Sequence, residues 1–151
     1  MGEKLKVAIS SSIKHIECNG YGDEILIDVS DASVFERFNS AYDELNKLQE
    51  EWEKENDQLP EGDDPDTLFL KAQVRVKFVH KMIAAIDMIF GRDTIRKVFR
   101  ENYEHNEDFL PGEDLIVEFL EQMIPIMEDL YKKRAENVRS KYSHAKRGKK
   151  R

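Results

Sequence analysis

Residues 78–91 read FVHKMIAAIDMIFG. Apolar side chains occupy most positions of this stretch, so they cover most of the circumference of a helix. A helix of this kind is usually the buried centre of a bundle, and Gly91 stands where a residue with a positive φ commonly ends a helix. The run is shorter than the ~20 apolar residues that cross a bilayer, and it contains Asp87. We therefore predict a central helix over residues 66–90 and no membrane-spanning segment.

A β-hairpin and a charged helix are predicted ahead of the central helix. The hairpin covers residues 14–29, and its turn at residues 19–23 contains two glycines together with Asn and Asp, which favour positive φ values. Residues 31–57 carry one apolar stripe at three- and four-residue steps, which is typical of an amphipathic helix. Ser30 or Asp31 can cap the first amides of that helix.

Two more helices are predicted after the central one. Asp93 is predicted to cap a short helix over residues 93–100, and a polar loop follows it. The last helix, over residues 111–142, begins with a proline and has acidic residues in its first turn, both of which favour a helix N-terminus. Pro125 lies inside this helix and is expected to bend it rather than end it. The predicted fold is therefore mainly α: a small helical bundle with an N-terminal β-hairpin and a basic C-terminal tail.

Charge is divided unevenly along the chain. The net charge is −7 at pH 7, but residues 132–151 contain ten Lys/Arg and one Glu, which gives this segment +9 and leaves −16 for the rest. We predict a single domain over residues 1–142, followed by a flexible basic tail over residues 143–151. Because the acidic body repels phosphates, nucleic acid would have to contact the chain through the tail.

The sequence contains no group of residues with catalytic or metal-binding spacing. The four histidines are scattered, and there is no Cys/His cluster of the kind that binds zinc. Cys18 has no evident base or oxyanion pocket, and a lone cysteine favours a reducing compartment such as the cytoplasm. Acidic residues around His105 and within residues 61–66 can bind a divalent ion weakly, although solvated loops are the simpler interpretation. We therefore expect no enzyme activity, no cofactor and no metal.

Two features are candidates for binding a partner. A flexible basic tail makes electrostatic contacts with acidic proteins or nucleic acid, although a solubilising end explains the same charges. Its basic residues are Lys146, Arg147, Lys149, Lys150 and Arg151. Methionine-rich helix surfaces repack around varied helical ligands. The methionines of the two apolar helices are Met82, Met88, Met123 and Met127. Of these, Met123 and Met127 are the candidates, although core filling is the more common role of a methionine.

The order of the predicted segments also forms a pattern. The hairpin leads through Asp28-Val29-Ser30-Asp31-Ala32 into the charged helix, and the hydrophobic helix ends at Ile89-Phe90-Gly91. The last helix passes through Lys141-Tyr142-Ser143 into the basic terminus. From about residue 13 onward this arrangement resembles the small tail assembly chaperones of long-tailed bacteriophages that infect Gram-positive bacteria. The resemblance lies in the order and character of the segments. The terminus of such relatives often contains paired arginines, whereas here it reads KRGKKR.

The resemblance implies a non-enzymatic protein of the host cell cytoplasm that is made during phage assembly. It would bind the long helical tape-measure protein, keep it soluble and help to recruit tail-tube protein. An exposed hairpin edge would also allow copies of the chain to associate by strand pairing. Two alternatives stay open: a nucleic-acid-associated regulatory protein that contacts phosphates through its basic tail, and a structural protein that remains in the virion.

Overall fold

The structure, a computed structural model, describes residues 3–149, with side chains up to residue 143. Its mainly α fold with an N-terminal β-hairpin confirms the prediction. The elements are, in chain order, β1 (Ile13–Glu17), β2 (Glu24–Asp28), α1 (Val34–Asp57), α2 (Pro65–Phe90), α3 (Thr94–Val98), α4 (Arg100–His105) and α5 (Glu113–Lys149). Helix α2 contacts α1, α3, α5 and β2, so the stretch that predicted the fold lies at its centre.

β1 and β2 form an antiparallel two-stranded sheet. The amide of Cys18 donates a hydrogen bond to the carbonyl of Asp23 at 3.0 Å, which closes the turn. Gly22 in this turn has a φ of 87°, a value that side-chain-bearing residues rarely adopt. Ile25 and Ile27 alternate with exposed neighbours and are each only 2% exposed. The hairpin therefore packs on the helices through one face of β2.

Helices α1 and α2 pack as an antiparallel pair. Phe38 near the start of α1 contacts Phe90 at the end of α2, with ring centroids 6.0 Å apart. Glu55 near the end of α1 pairs with Lys77 in the middle of α2 at 3.1 Å. The least exposed side chains of the core, at 0–1%, come from α2, α3 and α5 and are Ile86, Ile95, Ile116 and Met127. No helix within residues 3–149 is both long enough and apolar enough to span a membrane.

The starts of α1 and α3 differ from the prediction. α1 begins at Val34, and the carboxylate of Asp31 accepts a hydrogen bond from the amide of Ser33 at 2.9 Å. Asp93 stands before α3 with a φ of 64°, but the amide of Ile95 donates to the carboxylate of Asp87 at 3.2 Å. Asp87 at the end of α2 therefore satisfies a donor of the next helix, which was the role predicted for Asp93.

The polar loop predicted after residue 100 is partly helical. α3 ends at Val98, and α4 follows from Arg100 to His105. The ring of Tyr103 packs edge-on against Phe109, with centroids 5.3 Å apart. This aromatic contact stabilises a short helix. The helix was not predicted because its mostly charged sequence has no apolar periodicity.

Helix α5 continues past its predicted end. It passes through Pro125, as expected, and extends to Lys149. We predicted a helix end near residue 142 and a flexible tail from residue 143, whereas the backbone of residues 143–149 is helical. Lys, Arg and Ala are good helix formers without any apolar stripe, which explains the longer helix. Lys150 and Arg151 lie outside the described residues.

We expect Ile86→Ala to lower the free energy of unfolding by about 2–5 kcal/mol, because it removes a fully buried side chain and leaves a cavity at the centre of the core. Met88→Ala alters the same helix where the side chain is 81% exposed, and it should change the free energy by less than about 0.5 kcal/mol. Urea unfolding followed by circular dichroism measures both values. Similar losses for the two variants would contradict the central position of α2.

Candidate partner-binding surfaces

The two methionines predicted to bind a partner lie in the core. Met123 is 3% exposed and Met127 is 1% exposed. Met123 also lines a cavity of about 270 Å³ between the hairpin and α5, together with Ile16 and Phe99. Neither methionine presents a surface to another protein in this conformation. The structure therefore assigns both of them to core packing.

A different methionine lines an open groove of about 440 Å³ between α1 and α2. The side chain of Met88 is 81% exposed there. The small and apolar residues of the groove are Ser40, Ala41, Ala85, Met88 and Ile89, and the charged ones are Glu36, Arg37 and Glu44. Small side chains allow another backbone to approach closely, and the exposed thioether adapts to the shape of an apolar partner.

The position of Met88 on α2 distinguishes it from the other methionines of the two helices. Each residue of a helix is rotated by about 100° from the one before it, so the side chains of residues two positions apart point in directions about 160° apart. Ile86 is fully buried at 0% exposure, so Met88 must lie on nearly the opposite side of α2. An apolar side chain that is directed away from the core marks a surface better than the number of methionines does.

The basic residues of the predicted tail lie at the end of α5 or beyond it. The backbone at Lys146, Arg147 and Lys149 is helical, and their side chains lie outside the described residues, as do Lys150 and Arg151 altogether. Four basic side chains nearer the body are exposed on the same helix, namely Lys132, Lys133, Arg139 and Lys141. These four side chains therefore present basic charge along the described part of α5.

A polar network holds the hairpin turn against α4, and the sequence analysis did not identify it. The carboxylate of Asp23 accepts hydrogen bonds from Asn19 at 2.7 Å and from Arg100 at 3.0 Å. Arg100 also donates to Glu104 at 3.0 Å, and its guanidinium lies 4.3 Å from the centre of the Tyr21 ring. The hydrogen bonds from Asn19 and then Arg100 hold the pKa of Asp23 below its ordinary value of 3.8. One arginine therefore connects the turn to the helices.

We expect Arg100→Gln to lower the midpoint of thermal unfolding at pH 7, because it removes the cation between Asp23 and Glu104. Since the pKa of Asp23 is lowered by folding, its contribution is complete above pH 3.8 and is lost as the pH falls through the lower pKa of the folded chain. The difference in midpoint between the original chain and the variant should therefore narrow below pH 3.8.

Melting curves at neutral pH and at about pH 3, followed by circular dichroism, test this expectation. Arg92→Gln is the matched control, because Arg92 is exposed and should leave the midpoint unchanged. A difference for Arg100→Gln that stays equally wide in acid would contradict the role of Asp23.

Cys18 and Asp64 both make structural contacts. The thiol of Cys18 donates a hydrogen bond to the carbonyl of Asp23 at 3.3 Å. Burial, and then the nearby Asp23 carboxylate, raise the pKa of this thiol, so it stays protonated at neutral pH. In the acidic segment 61–66, Asp64 accepts a hydrogen bond from the amide of Thr67 at 3.1 Å and so caps α2. The described part of the chain has no group of three or more His, Cys, Asp or Glu placed to hold a metal ion.

Comparison with known proteins gives one match. Residues 21–151 match a family model described as "Family of unknown function (DUF6673)". The matched span begins in the hairpin turn and includes β2 and every helix described above, but not β1. No curated protein and no solved structure matches the chain.

Proposed function

We propose that this chain, which belongs to the family of unknown function DUF6673, is a non-enzymatic protein that binds an amphipathic helix of a partner in the groove between α1 and α2. The observation that carries the proposal is the exposure of Met88, which is 81%. A contiguous apolar patch with a polar rim marks a site of interaction in soluble proteins, and Met88 lines the groove together with Ala41, Ala85 and Ile89. A helix laid in such a groove covers the apolar surface with its own apolar face.

The charges around the groove favour a particular kind of helix. Glu36 and Glu44 line it together with Arg37, so the rim carries one net negative charge, and the body around it is strongly acidic. Opposite charge at the rim of an interface speeds association and selects the partner. A helix with an apolar face flanked by Lys or Arg therefore fits the groove better than one flanked by acids.

The resemblance to phage tail assembly chaperones suggests the partner. A tape-measure protein is long and helical, and its apolar stripes need cover until the tail tube is built around it. A chaperone that covers such a stripe keeps the protein soluble and leaves when tail-tube protein arrives. This proposal places the chain in the cytoplasm of the host cell during assembly.

We expect Met88→Asp to weaken binding of the partner helix at least ~tenfold. The substitution replaces an apolar contact at the centre of the proposed interface, where the principal binding residues lie, by a charge. Val76→Asp is the matched control, since Val76 lies on α2 outside the groove and is 43% exposed. Co-purification with tape-measure protein from the same genome measures retention, and circular dichroism checks that both variants fold. Equal retention by Met88→Asp and the original chain would contradict the groove.

A crosslinked pull-down from the native cells during assembly tests the class of partner. Mass spectrometry of a sample treated with nuclease should identify a long, coiled-coil-like protein. Loss of every partner after nuclease would contradict the chaperone proposal. Recovery of the chain from purified particles would instead identify a structural virion protein.

A second candidate function is contact with nucleic-acid phosphates through the basic end of α5. The observation that favours it is the continuation of α5 to Lys149, which carries basic residues along one helix away from the acidic body. If it is correct, replacing the five predicted tail cations by Gln abolishes binding to DNA or RNA. The logarithm of the binding constant should also fall with the logarithm of salt concentration, by a slope of about −0.9 per phosphate neutralised on double-stranded DNA. Binding insensitive to salt would exclude this candidate.

A further inference from the structure

Residues 3–12 precede β1 and form a segment that we call the arm. Leu5, Val7 and Ile9 in the arm are 93%, 89% and 88% exposed. They alternate with Lys4, Lys6 and other residues, so one face of an extended chain is apolar and the other is basic or small. This period of two is typical of a strand with one buried face. The described part of a single copy leaves that face in solvent.

On the side of β2 away from β1, the carbonyl of Glu24 accepts a hydrogen bond from Lys97 at 3.5 Å and that of Asp28 accepts one from the amide of Asp31 at 3.2 Å. Leu26, midway between them, is the open position of this edge.

The amide of Val29 donates to the carbonyl of Ser12 at 3.2 Å, which marks a hydrogen-bonded pair. In an antiparallel sheet such pairs alternate with unbonded ones, so Ile25 and Ile27 also bond to β1. Leu26 between them directs its amide and carbonyl to the outer edge. An edge of this kind is a template for another strand.

Each face of the arm is similar or complementary to the corresponding face of β2. Ile25 and Ile27 of β2 are buried on the core side, where the apolar residues of the arm would continue the same surface. On the solvent side β2 begins and ends with an acidic residue, and the arm carries Lys4 and Lys6. Opposite charges and apolar pairs on neighbouring strands stabilise a sheet. Beside β1 the same arm would instead place an apolar residue next to Lys14.

The arm cannot place all three of its apolar residues, Leu5, Val7 and Ile9, on this edge within its own chain. The hydrogen bond to Val29 holds Ser12 on the β1 side, and the hydroxyl of Ser12 donates to Asp28 at 2.8 Å. The outer edge of β2 lies two strand spacings away, about 9.5 Å. The three steps from Ile9 to Ser12 cover about 10 Å only when fully extended. That straight path is occupied by the chain itself as it leaves β2 at Val29, and no residue is left over for a detour.

We propose that the arm of one copy adds as a third strand to the outer edge of β2 in a second copy of this chain. The addition covers the apolar face of the arm, pairs the outer edge of β2 at Leu26 and places Lys4 and Lys6 on the face that carries Glu24 and Asp28. No residue of the arm or of β2 lines the α1–α2 groove. Association between copies is therefore independent of the proposed partner helix.

Sedimentation velocity of the purified chain over a range of micromolar concentrations tests association. The original chain should form dimers or larger species. Val7→Asn should shift the midpoint concentration upward at least ~tenfold, because it places a polar amide on the buried face of the added strand. Ala8→Asn is the matched control, with the same new side chain on the solvent face, and it should associate like the original chain. A monomeric original chain, or equal effects of the two variants, would overturn the proposal.

Crosslinking then identifies the edge. In a Cys18→Ser background, Lys6→Cys combined with Leu26→Cys places thiols on the solvent faces of the arm and of β2. Oxidation to a disulfide needs Cβ atoms about 3.5–4.5 Å apart, so it links direct cross-strand neighbours and not residues two strands apart. Lys4→Cys and Ala8→Cys are each tested in place of Lys6→Cys, so that every register of the arm is covered. One of these variants should link two copies, and none should do so when His15→Cys of β1 replaces Leu26→Cys. Linkage through position 15, linkage within one copy, or no linkage would each overturn the proposal.

Discussion

The helical core depends on the packing of Phe90, the last residue of α2. Its ring lies 6.0 Å from that of Phe38 in α1 and 5.7 Å from that of Phe119 in α5, so one side chain joins the three long helices. Gly91 follows with a φ of 111° and a ψ of 160°, a conformation available essentially only to glycine. The chain can therefore leave α2 directly after Phe90. This turn brings the start of α3 close to Asp87, whose carboxylate accepts a hydrogen bond from the amide of Ile95. The conformation of Gly91 therefore determines both where the Phe90 ring packs and where the turn into α3 begins.

The hairpin adds a second layer of constraint. An isolated two-stranded hairpin is marginally stable in water, and only β2 of this one is buried. Polar contacts at the turn add stability beyond that of the small buried area. Asn19 donates a hydrogen bond to the carbonyl of Lys97 at 2.7 Å, and Arg100 bridges Asp23 and Glu104. The short helices α3 and α4 therefore serve as the support that fixes the hairpin to the bundle. The outer edge of β2 is met by Lys97 of α3 at Glu24 and by the amide of Asp31 at Asp28, which leaves its middle at Leu26 unpaired.

The sequence predicted the long elements because hydrophobic periodicity survives over many residues. The nearly continuous apolar run before Gly91 placed α2, and the alternation at Ile25 and Ile27 placed β2. Periodicity did not predict α4, because that helix depends on a contact between Tyr103 and Phe109. It did not predict the extension of α5 either, because that extension needs no apolar face. Met123 and Met127 were chosen as surface residues because methionines were grouped by type, whereas burial is decided by the angle around the helix. Met123 and Met127 thus turned out to be core residues, and Met88 is the exposed one.

The division of charge limits which partner can approach which surface. The acidic residues outnumber the basic ones by 16 outside residues 132–151, so nucleic acid can come close only to the end of α5. The same excess repels a second copy at long range, and association therefore needs a local contact in which basic residues meet acidic ones. The arm supplies such a contact with Lys4 and Lys6, and a helix in the groove must do the same opposite Glu36 and Glu44. An acidic body that excludes most encounters makes the few basic segments the elements that decide specificity.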